Sequence, residues 1–208
     1  MHPAIAQVEA YWHGLREGRA LPLRSDIDPR GIRRALEYTF ILEKIAPGLG
    51  RFRLAGQHLN ELMGMEVRGM PLTSLFEPEA RRDVTDHLTR VFEAPEGVVI
   101  QLGSSRSIGR PALSGELLLL PLKSDLGDVS RALGCLVTKG DVGRAPRRFS
   151  VKHVRVTPLL TQPETTEVVE PPRPKRREVN YTETREAYTP PRPPVKGPPK
   201  LRLVKSDD

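Results

Sequence analysis

Residues 38–56 read YTFILEKIAPGLGRFRLAG, and the fold turns on this stretch. Its first part, YTFILEKI (38–45), is rich in aromatic and β-branched residues, which suit a strand better than a helix. In RFRLAG (51–56), Arg51 and Arg53 alternate with Phe52 and Leu54, so a second strand would carry one basic and one apolar face. Between them, Pro47-Gly48-Leu49-Gly50 is turn chemistry, and the two segments are predicted to form a hairpin.

Upstream, Ile5, Val8, Tyr11, Trp12 and Leu15 fall on one helical stripe, and Gly18 ends it. A connection through Pro22 leads to a second short helix over 29–37, with Asp28 as its N-cap and Pro29 in its first turn. Downstream, residues 57–63 read as one or two helical turns closed at Gly64. A longer amphipathic helix starts at Pro78, with Val84, His87, Leu88, Val91 and Phe92 on one face. Three strands follow at 98–105, 113–122 and 132–138, with connections too short for parallel crossovers. Strands at both ends with helices between them predict an α+β domain.

The chain has 208 residues, of which 38% are hydrophobic and 21 are proline, about twice the usual proline share. Core-forming periodicity stops near residue 158, and PPRPKRR and PPRPPVKGPPK follow. The expected organisation is a helical cap (1–37), a sheet domain (38–140), a basic edge segment (141–158) and a disordered Pro-rich tail (159–208). The net charge is +7, and residues 1–160 hold 23 basic and 18 acidic side chains, so the excess is not simply that of a basic tail. Its densest run is Arg144, Arg147, Arg148, Lys152 and Arg155. That run suits an acidic partner or serves as a solubilising rim. One cysteine, Cys135, excludes an internal disulfide framework. No secretory leader and no apolar run long enough for a membrane span are visible, so the expected location is cytoplasmic.

The order of elements is that of a PAS domain, with helices inserted between the second and third strands of a five-stranded antiparallel sheet. More specifically, YWHGLREGRALPLRSDIDP (11–29), FILE, RFRLAGQHLNELMGMEVRGMPL (51–72) and LLLLPL with GCL resemble a short PAS-like family common in alphaproteobacteria, long catalogued as a domain of unknown function. The resemblance covers about residues 8–140. Members usually carry Thr where this chain has Gln57. What the resemblance implies is a bacterial sensory or regulatory module, either binding a small molecule between sheet and helices or serving as an interaction surface. No kinase core, cyclase motif or helix-turn-helix accompanies it, so the module is expected to stand alone and to signal through protein–protein contacts.

Candidate ligand contacts are Arg53 and His58, which flank LAG, together with Phe40 and His87. Arg53 offers a planar fork of donors and His58 can titrate near neutrality. In a PAS fold a helical His such as His87 faces the cavity and can supply a haem ligand, yet a satisfied core histidine is the commoner case. Haem and flavin are not expected, and no cofactor is required. Cys135 reads as a buried, inert thiol outside the Asn-Cys-Arg-Phe context of light-sensing flavin domains. Tyr11, Trp12 and Leu15 are candidates for a dimer contact or a cap on the sheet. The five histidines show no metal-ligand spacing, and no Walker loop or nucleophile elbow is present, so neither a metal nor an enzyme is expected. GSSRSIG (103–109) offers hydroxyls and Arg106 to a phosphate, or is simply a polar loop. The expected partner is another signalling protein or a second copy of the chain. Nucleic-acid binding through residues 144–155 and the tail, and a ligand-free scaffold, are the alternatives. Glutamates dilute the charge of the tail and disfavour nucleic acid.

Overall fold

The leucine run of 117–120 shows how the chain is layered. Successive side chains of a strand point to opposite faces. Leu117 and Leu119 enter one apolar cluster, whereas Leu118 and Leu120 enter another. Consecutive leucines are therefore needed because both faces of this strand are covered. The computed structural model describes residues 1–159. The Pro-rich tail, including RPKRRE (173–178) and the run 190–194, lies outside the described residues.

The strands are β1 (Thr39–Ala46), β2 (Leu49–Ala55), β3 (Glu96–Ser104), β4 (Leu113–Leu122), β5 (Arg131–Lys139) and β6 (Ser150–Pro158). They form one sheet in the order β2-β1-β5-β4-β3-β6, with antiparallel pairing throughout. The β1–β2 hairpin and the β3–β4–β5 meander match the sequence reading. The sheet has six strands rather than the five expected, because the basic segment returns and β6 pairs with β3. A bulge in that pairing between Gln101 and Leu102 breaks the two-residue rhythm of Val151, Val154 and Val156, which pack on the core.

Helices α2 (Gln57–Met63) and α3 (Arg81–Glu93) cover one face, here called inner. Phe40, Phe52, Leu59, Leu62, Leu88 and Leu136 are buried there. The opposite, outer face receives α1 (Pro3–Leu15) through Ile5, Val8 and Trp12. The expected second helix over 29–37 is two 3-10 turns, Pro29–Ile32 and Leu36–Tyr38. Asp28 does cap the first, accepting from the Arg30 N–H at 2.9 Å. A 3-10 turn at Pro78–Ala80 likewise leads into α3. No helix among the described residues is long and apolar enough to cross a membrane.

Candidate functional site

The segment between α1 and β1 is held over the outer face as a strap. Tyr11 clamps it: its hydroxyl accepts from the Asp28 N–H at 2.7 Å and donates to the Asp28 carbonyl at 3.0 Å. Gly31 allows this approach, since a Cβ there would lie 2.2 Å from the Tyr11 ring. Asp26 accepts from the Leu23 N–H at 2.9 Å and pairs with Arg19 at 2.8 Å. The Asp-Ile-Asp-Pro box is thus a set of turn caps, one for each 3-10 turn that it borders. Trp12 is fully buried, and its indole N–H donates to the Pro121 carbonyl at 3.0 Å. Leu15 is only half-buried at the helix end.

Helix α1 covers β4 and β5, and β1 and β2 are left to the strap. Between strap and strands runs an apolar groove of about 290 Å³, lined by Ile27, Ile32, Leu36, Ile41, Leu54 and Leu133. It continues into a cavity of about 400 Å³ through the shared walls Arg24, Ile41 and Leu54. Arg24, Arg53, Arg68 and Arg131 ring that second space, with Asp125 at its rim. Leu36 and Leu54 are 45% and 52% exposed, a marked loss for large apolar residues.

The charges of the groove are partly ordered by one carboxylate. Glu43 accepts from Arg51 at 2.8 Å and Arg131 at 2.9 Å, and Arg53 lies 3.5 Å away. The hydrogen bond from Arg51 holds the Glu43 carboxyl below its usual range, with Arg131 and Arg53 adding to it against the opposing effect of burial. Arg24 and Arg68 have no carboxylate within ion-pair distance among the described residues. One end of the groove therefore keeps two arginines without an ion-pair partner among the described residues, with Asp125 the single carboxylate lining it.

The four candidate ligand contacts do not converge. Arg53 is exposed on the outer face, whereas Phe40 is 1% exposed and belongs to the inner cluster. The end of the Phe40 ring lies against Gly134, where a Cβ would come within 2.1 Å of it. It meets Phe52 edge to face at 5.2 Å. His58 starts α2, with Nε2 3.0 Å from the Thr138 hydroxyl and its ring 5.1 Å from Tyr38. Burial pushes its pKa down, and Glu61 and Glu37 offset part of that. His87 lies half-buried on the flank of α3, and its Nδ1 has no partner among the described residues. Cys135 belongs to the outer cluster, away from α2 and α3, and burial pushes its thiol up to about 12. A thiol so placed and so held does not fit a role toward a flavin between sheet and helices. No group of three His, Cys, Asp or Glu among the described residues is placed to hold a metal.

The expected basic run is corrected at one position. Arg144, Arg148, Lys152 and Arg155 are exposed, but Arg147 is buried at 0% exposure. Its guanidinium reaches back into the domain, because Phe149 beside it plugs the core and pulls the segment inward. Neither this burial nor the groove has a sequence signal: an arginine in RAPRRF reads as surface, and the groove is assembled from four separate segments.

A family model described as PAS domain matches residues 1–137. No curated protein matches the chain. Among solved structures, similarity is found to a light-oxygen-voltage domain whose mechanism was studied with a flavin analogue, at 20% identity and TM-score 0.42 over 54% of this chain and 84% of that one. The light-state structure of the blue-light photoreceptor Aureochrome1 LOV is similar at 14% identity and TM-score 0.39, over 54% and 88% of the two chains. An RNA-binding light-oxygen-voltage receptor is similar at 18% identity and TM-score 0.39, over 55% of this chain and 33% of that receptor.

Proposed function

The chain belongs to the PAS domain family, and from that membership we propose that it is a regulatory module that works by contact with another protein, received in the groove between the strap and β1–β2. The occupant is an amphipathic segment of the partner, with its apolar side on Leu36, Leu54 and Ile41 and an acidic side chain toward Arg24 and Arg68. The observation that carries this reading is the pairing of an exposed apolar floor with two arginines that lack carboxylate partners. Exposed apolar surface rimmed by charge is characteristic of interaction sites, and complementary charge sets register and rate of association. Trp12 holds the cap and Tyr11 clamps the strap that forms one wall; Leu15 finishes the cap. The module needs no bound cofactor for this role, and regulation would lie in who occupies the groove.

The test is site-specific photo-crosslinking of the full chain in its own host, with the crosslinking residue at Leu36 or Leu54 and, as a control, at Ile108, which is 97% exposed in the loop between β3 and β4 and lines neither part of the groove. A heterologous adduct from the two groove positions, absent from the control and lost when Arg24→Glu and Arg68→Glu are added, supports the reading. An adduct of two copies of this chain, or one indifferent to the charge reversals, overturns it.

A further inference from the structure

The buried guanidinium of Arg147 sits at the opposite end of the sheet, and its surroundings lack what a buried cation needs. Burying a charge is costly unless it is paired and hydrogen-bonded. Arg147 donates from Nη1 to the Val142 carbonyl at 2.6 Å, and from Nη2 to the Pro111 carbonyl at 2.7 Å and the Ser104 hydroxyl at 3.0 Å. All three acceptors are neutral. No carboxylate lies within ion-pair distance among the described residues, and its buried Nε has no partner. Burial and then the charge of Arg110 work against its cationic form, with Asp141 as a partial offset.

This side chain forms part of the wall of a cavity of about 310 Å³. The other walls include Ser104 at the end of β3 and Ser105 and Ser107 from the β3–β4 loop, with Arg106 and Arg110. Arg148 closes the far side, and Glu77 is the single carboxylate among the lining residues. The loop is built rather than loose: Ser107 and Arg110 exchange backbone hydrogen bonds at 2.8 and 2.9 Å, and Arg144 donates to the Gly109 carbonyl at 2.8 Å. Arg110 donates to the Arg144 carbonyl at 3.2 Å, and Arg148 to the Ser74 carbonyl at 2.9 Å. Arg110, Arg147 and Arg148 are thus held around one concavity by neutral groups, and Glu77 alone among the lining residues opposes their charge.

We propose that this cavity is a binding site for the phosphate group of a small phosphate monoester. Three serine hydroxyls and the forks of Arg106, Arg110 and Arg148 supply the many charge-assisted donors that a tetrahedral oxyanion accepts. The anion also supplies the countercharge that Arg147 lacks. A staple that merely ties loops together would account for the two carbonyl bonds of Arg147. It would not account for the unpartnered Nε or for three more arginines at the same opening. The site is separate from the groove of the proposed function: the two cavities share no lining residue.

Isothermal titration of the full chain with inorganic phosphate and with adenosine monophosphate, at matched ionic strength in chloride, tests this. Saturable binding of either probe is expected, with a higher thermal midpoint than in chloride alone. Arg106→Gln with Arg110→Gln should weaken it at least about tenfold, since each removes a charged hydrogen bond. Both side chains lie at the surface of the loop, and an unchanged far-ultraviolet spectrum and midpoint confirm that the variant folds; if it does not, Arg148→Gln alone is the readout, with weaker binding expected. No saturable binding of either probe overturns the proposal. So does binding that the variants leave unchanged, or binding by a single-stranded oligonucleotide alone. Tighter binding of adenosine monophosphate than of inorganic phosphate would identify a monoester as the ligand, and the reverse order would overturn that choice.

Discussion

On the inner face of the sheet, helices α2 and α3 bury Phe40, Phe52, Leu88, Leu117 and Leu136 almost completely. On the outer face, α1 seals β4 and β5 through Trp12, while β1 and β2 meet only a strap and keep Leu36 and Leu54 in solvent. Among the described residues the inner face is thus finished and the outer face is not. A layer closed by its own side chains has little left to offer a partner. The half-open layer leaves apolar area beside Arg24 and Arg68, and the proposed function puts the partner there.

The sharpest way to break this contrast is at the one place where the outer face is closed. Trp12→Ala removes a fully buried indole and leaves the Pro121 carbonyl without its donor. The expected loss is about 3–5 kcal/mol, read by chemical denaturation. A loss under about 1 kcal/mol, the size usual for a surface change, would mean that α1 is a loose appendage and that the outer face is open along its whole length.

The inner face is tested by crowding rather than by deletion. Gly134→Ala drives a methyl group into the Phe40 ring, and overpacking of this kind costs about 1–3 kcal/mol. Adding Phe40→Leu should recover part of that loss, because the two positions are direct cross-strand partners and must couple. Additive losses would show that the ring has room to swing, and hence that space remains between sheet and helices.

The same contrast explains what was legible in the sequence. Alternation and turn chemistry mark β1 and β2, and leucines on both parities mark β4 as covered twice. The inner helices were visible because Val84, Leu88, Val91 and Phe92 hold a helical period. The strand β6 was hidden because its bulge breaks the alternation and Lys152, His153 and Arg155 interrupt the valines. Strand parity places Arg53 no better, for a related reason. A bulge between Ile41 and Leu42 in the β1–β2 pairing leaves both Arg53 and Leu54 on the outer groove, so parity no longer assigns a face. Arg147 and the groove depend on contacts between distant segments, which no local pattern encodes.

The smallest expected effect concerns His58, at the rim of the inner layer beside Thr138. Burial lowers its pKa from the ordinary 6.5, and Glu61 and Glu37 counter only part of this. The folded state then binds its proton less readily than the unfolded chain. Between the ordinary value and the lower folded one, the unfolded chain carries the proton and the native protein does not, so stability falls as pH is lowered through this window. Below the folded pKa both forms are protonated and the penalty becomes constant. His58→Gln keeps a polar partner for the Thr138 hydroxyl and removes the titration. Its thermal midpoint should therefore decline less than that of the parent chain between pH 7 and the low end of the window, with Trp12 and the outer face untouched. Equal slopes for the two proteins would show that the imidazole is as free to take up a proton in the fold as out of it. The inner layer would then be open to water at the start of α2, and the contrast between a closed face and an unfinished one would not extend to that rim.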